Sequence, residues 1–159
     1  MRRKDREVTD LDQIFEIINR CNIAHIGMID QGKPYVVALN FGYERKKDAL
    51  ILYFHSAYEG RKMDVLKRNP SVYFQMNCIN EFIEGNQENP CAYGFRYDSV
   101  MGSGQVEFIE DLEQKAHALN CMIHHLGKTE DTFDFPETNL KKTSVYRVIT
   151  TDFTGKHHE

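Results

Sequence analysis

Leu52-Tyr53-Phe54-His55-Ser56-Ala57-Tyr58-Glu59-Gly60-Arg61-Lys62 joins an apolar strand to a helix with a basic first turn. From Ala49 to His55 the chain is almost unbroken apolar sequence, the signature of a buried strand. The strand ends in a polar pair, His55 and Ser56. Gly60 then opens a helix expected to reach Arg68, with Met63 and Leu66 facing the core and Asn69-Pro70 closing it. Cations in the first turn of a helix are awkwardly placed, because that end already carries partial positive charge. An anion relieves the conflict. Free backbone N–H groups, the Ser56 hydroxyl, Arg61 and Lys62 together make a phosphate site. The plainer alternative leaves Arg61 and Lys62 merely solvated.

Working outward, the flanking segments read as an antiparallel meander. Upstream, Leu11, Ile14, Phe15 and Ile18 mark one face of a helix over Asp10 to Cys21, with Thr9 and Asp12 as its capping box. Strands are expected over Asn22 to Ile29 and Pro34 to Tyr43, with Asp30 to Lys33 as the turn between them. Glu44 to Asp48 reads as a charged hairpin loop. Downstream, Ser71 to Cys78 reads as a strand and Ile79 to Pro90 as a loop. Ala92 to Ile109 reads as one long strand or a bent pair, with Gly102 and Gly104 at a bulge or close approach. Asp111 caps a helix to Leu126, stopped by Gly127, whose expected buried stripe is Leu112, Ala116, Leu119, Ile123 and Leu126. Lys128 to Thr143 reads as irregular and Ser144 to Thr150 as the last strand. The expectation is one domain over residues 1–159. About six strands with helical additions make a mainly β barrel, and a second subunit is the natural cover for its open sheet.

Composition narrows the function. The 159 residues carry a net charge of -4, so nucleic acid is not an expected partner. The basic start, Met1-Arg2-Arg3-Lys4, lacks the apolar core of a signal peptide, and no apolar run is long enough for a membrane span. The cytoplasm is therefore the expected compartment. Cys21, Cys78, Cys91 and Cys121 form no CxxC pair and are expected as reduced thiols. His117, Cys121 and His124 share a helix face, but ligands on one helix stripe spread roughly 10 Å along the axis, so no metal is expected. His124-His125 and His157-His158 read as solvated pairs.

The arrangement of His55, Ser56, Gly60, Arg61, Lys62, Leu66, Asn69 and Pro70 after a strand resembles the pyridoxamine-phosphate-oxidase-like flavin-binding split-barrel superfamily. With Pro34, Leu39-Asn40-Phe41-Gly42-Tyr43 and the Gly102, Gly104 pair added, the chain resembles the nitroimidazole-resistance proteins within it. The similarity runs from about Arg2 to His157.

The resemblance implies a six-stranded antiparallel split β-barrel, working as a homodimer. It implies FMN, with FAD possible, as cofactor. Asn40, Phe41 and Gly42 would border the isoalloxazine edge. Ser56, Gly60, Arg61 and Lys62 would hold the phosphate, and Tyr97 and Ser99 would reach the flavin from the other subunit. His55 would either pack under the flavin or turn into the substrate space above it, where it would be catalytic. The implied activity is a reductase passing electron pairs from reduced flavin to a nitro group or similar small-molecule acceptor, avoiding a one-electron radical. A true pyridoxamine phosphate oxidase is disfavoured, because the tail from Thr154 to Glu159 has no Arg and the chain has no Trp. A non-catalytic flavin or haem carrier is the alternative, with His55 or His25 as an axial ligand.

Overall fold

The computed structural model describes residues 3–158. Met1 and Arg2 of the basic start and Glu159 of the tail lie outside the described residues. The chain runs β1 (Glu7–Val8), α1 (Leu11–Arg20), β2 (Ile23–Asp30), β3 (Lys33–Asn40), β4 (Gly42–Lys46) and β5 (Ala49–Ser56). It continues through α2 (Arg61–Arg68), β6 (Ser71–Ile83), β7 (Gly94–Ile109), α3 (Leu112–Gly127), α4 (Glu137–Lys142), β8 (Ser144–Thr150) and β9 (Phe153–His158). Every pairing is antiparallel, along the path β3-β2-β6-β7-β8-β5-β4, with β9 on β7 and β1 on β9.

The long strand β7 splits the barrel. Its first part pairs with β6 and β9, and its last residues, Val106 to Ile109, pair with β8. Gly102 and Gly104 let it turn that corner. A Cβ at Gly104 would stand 2.5 Å from Val148 Cγ1, and one at Gly102 would stand 2.6 Å from Phe74 Cζ. The glycine expectation of a close approach therefore holds.

Alternation along β5 builds two cores. Leu50, Leu52 and Phe54 point into the barrel with Ile26, Phe74, Met76, Val100 and Val148, and α1 and α2 close it with Ile14, Ile18, Met63 and Leu66. Ile51 and Tyr53 point outward, where Ala118, Cys121 and Met122 of α3 cover them. Removing any one of the fully buried large side chains, Leu52 for example, costs about 2–5 kcal/mol.

The fold class is as expected, an antiparallel split barrel with helical additions, but the described residues form nine strands rather than six. The run from Pro34 to Tyr43 breaks at Phe41, whose ring is wholly buried, so β3 pairs with β2 while β4 pairs with β5. The charged segment from Glu44 continues β4 to Lys46. β6 extends past Cys78 to Ile83 across a bulge where Ile79 has φ 62°. The tail adds β9, and α4 lies in the stretch read as irregular. The cap of α1 is Asp10 rather than Thr9, with Asp10 Oδ1 accepting from Gln13 N at 2.9 Å.

The expected stripe of α3 is also corrected. The buried face is Lys115, Ala118, Cys121, Met122 and His125, while Leu126 is exposed. Polar residues can hold that face because each finds a partner. Lys115 Nζ donates to the Tyr58 hydroxyl at 2.7 Å and to the Thr143 and Leu140 carbonyls at 3.2 and 3.4 Å. His125 is buried, not solvated, with Nε2 2.7 Å from the Cys21 carbonyl. His157 is not a bystander either, since its Nδ1 lies 2.5 Å from Oδ1 of the buried Asp98.

Candidate functional site

Strand β5 runs through Ser56, which pairs with Ser144, so the alternation that buries Phe54 also sends Ser56 to the inner side. Gly60 then takes φ 124°, a conformation that disfavours any side chain, and caps α2 without a side-chain hydrogen bond. The first-turn N–H groups of α2 are left without helical partners. Between this turn and β3 lies a cleft of about 430 Å³. Tyr35, Val37 and Leu39 wall one side, and Ser56, Gly60, Arg61 and Lys62 wall the other.

The electrostatics of the cleft are unbalanced. Lys62 is half-buried, and among the described residues no carboxylate pairs with it. Burial lowers its pKa, as expected for a cation short of solvent and counter-charge. Arg61 is better served. Its Nε lies 2.8 Å from Asp30 Oδ2, and its guanidinium stacks 4.2 Å over the Tyr35 ring. Arg68 takes the other Asp30 oxygen at 2.8 Å. Below Lys62, the Tyr146 ring is 1% exposed and stacks on Phe54 at 5.6 Å. Its hydroxyl is buried beside the Ser56 side chain. Ser56 Oγ is set against the Ala57 carbonyl at 2.9 Å and the Met63 sulfur at 3.0 Å.

An ammonium without a carboxylate, a serine and free backbone donors form a donor set short of an acceptor. A phosphate ester supplies acceptors for all of them. The apolar rank on β3 suits the flat ring of a flavin. The residues present therefore fit such a group.

One protomer brings together Ser56, Gly60, Arg61 and Lys62, but not the other candidates. His55 is exposed on the opposite face of β5, paired with Val145, and does not line the cleft. Partial burial, then the charge of Lys62, hold its pKa below the ordinary imidazole value. Asn40 is exposed, and its Nδ2 donates to the Asn22 carbonyl at 3.0 Å. Phe41 lies in the core, 4.7 Å from the His125 ring. Gly42 faces α3 so closely that a Cβ would stand 2.5 Å from Met122 N. Tyr97 borders a separate cleft of about 500 Å³ with Tyr93, Phe95 and His158. Ser99 is buried and paired with Lys156 and Asn77.

Sequence reasoning missed Tyr35, Val37 and Leu39, although their period of two was legible on β3. It also missed Tyr146, for which a lone Tyr in an apolar strand gives no signal. On α3, His117 and Cys121 meet Glu44 of β4, whereas His124 turns to the Asp131 carbonyl at 2.8 Å.

The sequence profile described as pyridoxamine 5'-phosphate oxidase matches residues 10–157. A solved structure of a candidate 5-nitroimidazole antibiotic resistance protein from Bacteroides thetaiotaomicron is similar at 34% identity, with TM-score 0.79, over 94% of this chain and 85% of that one. The flavocytochrome Anf3 from Azotobacter vinelandii shares the fold at 22% identity and TM-score 0.78, over 100% of this chain and 72% of that one. The FAD and haem binding protein from Mycobacterium smegmatis does so at 17% identity and TM-score 0.80, over 97% and 74%. No curated protein matches the sequence.

Proposed function

This chain belongs to the pyridoxamine 5'-phosphate oxidase family, and from that membership we propose that it is a homodimeric, FMN-binding reductase of nitroaromatic compounds. The observation that carries this is the half-buried Lys62 ammonium at the open first turn of α2, without a carboxylate partner among the described residues. Lys62, Ser56 and the first-turn N–H groups of α2 hold the phosphate, and Arg61 shares itself between Asp30 and that anion. Tyr35, Val37 and Leu39 form the apolar wall. When bound, the flavin supplies electron pairs to an acceptor such as a nitro group. We further propose that His55, near the end of β5 and outside the cleft of its own protomer, orients that acceptor and supplies a proton to it. The 34% identical relative is named for 5-nitroimidazole resistance, which supports this acceptor class.

The assembly has its own support. Val36, Gly27 and Tyr73 lie in one row across β3, β2 and β6, and Val36 and Tyr73 are 59% and 52% exposed. Ile23 and Ile29 add exposed apolar surface on the outer side of β2. A sheet face of this kind suits a second copy. In that dimer Tyr97 and Ser99 reach the flavin across the subunit boundary. We place the protein in the cytoplasm; no helix among the described residues is long and apolar enough to cross a membrane.

The test is direct. Extracting the bound cofactor and weighing it identifies FMN, FAD or haem, and sedimentation gives the assembly. Anaerobic reoxidation of the reduced protein by a nitroimidazole tests the activity. A flavin-loaded monomer, or flavin that no nitro compound reoxidises, overturns the corresponding part. The competing reading is a flavin or haem carrier without turnover, after the names of two proteins that share the fold. A Soret band in the purified protein would decide for haem.

A further inference from the structure

We propose that Glu44, His117 and Cys121 bind one thiophilic divalent cation, Zn²⁺ in the first instance, clamping α3 to β4. This site lies on the α3-covered face of β5 and is independent of the cleft at Ser56. His117 and Cys121 sit at i and i+4 on α3, and Glu44 rises from the neighbouring strand. One ligand atom from each lies within 4.8 Å of the others.

The spacings are those of a coordination sphere. Bonds of about 2.0–2.1 Å to nitrogen and oxygen and about 2.3 Å to sulfur, at tetrahedral angles, put N and S about 3.6 Å apart and N and O about 3.3 Å apart. Here His117 Nε2 lies 3.6 Å from Cys121 Sγ and 3.0 Å from Glu44 Oε1. In the absence of a cation, Glu44 accepts from both the His117 ring and the Cys121 thiol. The three groups therefore already converge on one point, which a cation can occupy in place of the two shared protons.

The surroundings are arranged for it. The Tyr53 hydroxyl donates to Glu44 Oε2 at 2.5 Å, which fixes the carboxylate and leaves Oε1 toward His117. A coordinating thiol gives up its proton, so binding a cation displaces the Cys121 proton to solvent. The cluster opens on a cleft of about 630 Å³ that Asn120 and His124 also line. A water from that cleft can complete a four-coordinate sphere, giving three protein ligands and one exchangeable position.

The experiment uses tag-free, chelator-stripped protein with its native cofactor. Zinc is titrated in competition with a chromophoric chelator, and Co²⁺ is substituted as the spectroscopic probe. The expected result is one Zn²⁺ per chain with Kd of about 1 µM or tighter, a proton released on binding, and a sulfur-to-cobalt charge-transfer band. Cys121→Ser should remove that band. Glu44→Gln and His117→Gln should each weaken zinc binding by about 100-fold or more, and Tyr53→Phe by about 10-fold. His117 has a 56% exposed side chain, so His117→Gln carries the test even if Cys121→Ser fails to fold. Zinc binding at about 1 mM or weaker, affinity unchanged in His117→Gln, or affinity lost instead in His157→Ala or His158→Ala overturns the proposal.

Discussion

Replacing Lys62 by Met should move cofactor affinity and apo-protein stability in opposite directions. Met keeps the apolar stem that packs beside Tyr146 and removes only the charge. In the complex the loss is one charge-assisted hydrogen bond to phosphate, about 1.5–3 kcal/mol, or roughly 10- to 150-fold in Kd. In the apo protein the same charge is half-buried without a carboxylate partner, so its removal relieves desolvation. The Tyr146 contact at 5.9 Å offsets part of that gain, since it sits at the edge of cation–π reach. Partial solvent exposure trims it further, leaving a gain of up to about 1 kcal/mol, or about 2–4 °C in Tm. Arg61→Ala should weaken binding less, about 0.5–1.5 kcal/mol, because Asp30 already neutralises Arg61 and Arg68 keeps Asp30 paired. The assay is quenching of FMN fluorescence on titration of stripped protein, with thermal melts of the same apo samples. Wild-type affinity in both variants would falsify the phosphate assignment. An apo Lys62→Met protein that melts well below wild type would show that Lys62 is a structural cation.

Three further outcomes are expected. His55→Ala should retain flavin, because His55 lies on the face of β5 away from Ser56, and on the proposed role in proton supply it should lose most nitroimidazole-driven reoxidation; reoxidation at the wild-type rate makes it structural. Burial, against the Cys21 carbonyl bond, holds the His125 pKa below its usual 6.5. The neutral ring therefore stabilises the fold fully above about pH 6.5, and that stability is lost as pH falls below it, by at most ~1.4 kcal/mol per pH unit. Urea midpoints across that range should flatten partly in His125→Gln, with His55 supplying the remaining slope; an unchanged slope refutes the assignment. Lys115→Met should cost about 3 kcal/mol by stranding the Leu140 and Thr143 carbonyls at the end of α4, seen as a Tm drop of about 6–12 °C.

What the sequence showed depends on the range of the interaction. The segment from Ala49 to Arg68 was legible because its signals are local: an apolar run, a polar pair, a glycine and a basic turn. Asp111 as the cap of α3 was legible for the same reason, and its Oδ1 accepts from Gln114 N at 2.9 Å. The buried face of α3 was not legible. Lys115 and His125 lie on it because Tyr58, Thr143 and Cys21, distant in sequence, satisfy their polar atoms. A rule that sends apolar residues inward cannot register such partners. Strand β9 escaped notice because Thr154-Gly155-Lys156-His157-His158 has no apolar pattern, and pairing with β7 and β1 makes it a strand. Phe41 read as part of one long strand, yet its burial beneath His125 is what breaks that strand.

The same range dependence separates the parts of the site. Ser56, Gly60, Arg61 and Lys62 are close in sequence, and the structure keeps them together. Tyr35 and Tyr146 join them only through strand pairing and packing, so no local motif could announce them. His55 is adjacent to Ser56 in sequence but a full strand face away in space, because β5 does not end until Ser56. That face is shared with Tyr53, which holds Glu44, which in turn meets His117 and Cys121. A one-residue slip of β5 would exchange the two faces, burying His55 in the barrel and turning Ser56 toward α3. The apolar partners Leu50, Leu52 and Phe54, each at most 1% exposed, make that slip prohibitively costly. The packing of the barrel core thus fixes which side of the strand meets a phosphate and which side meets the Glu44 cluster.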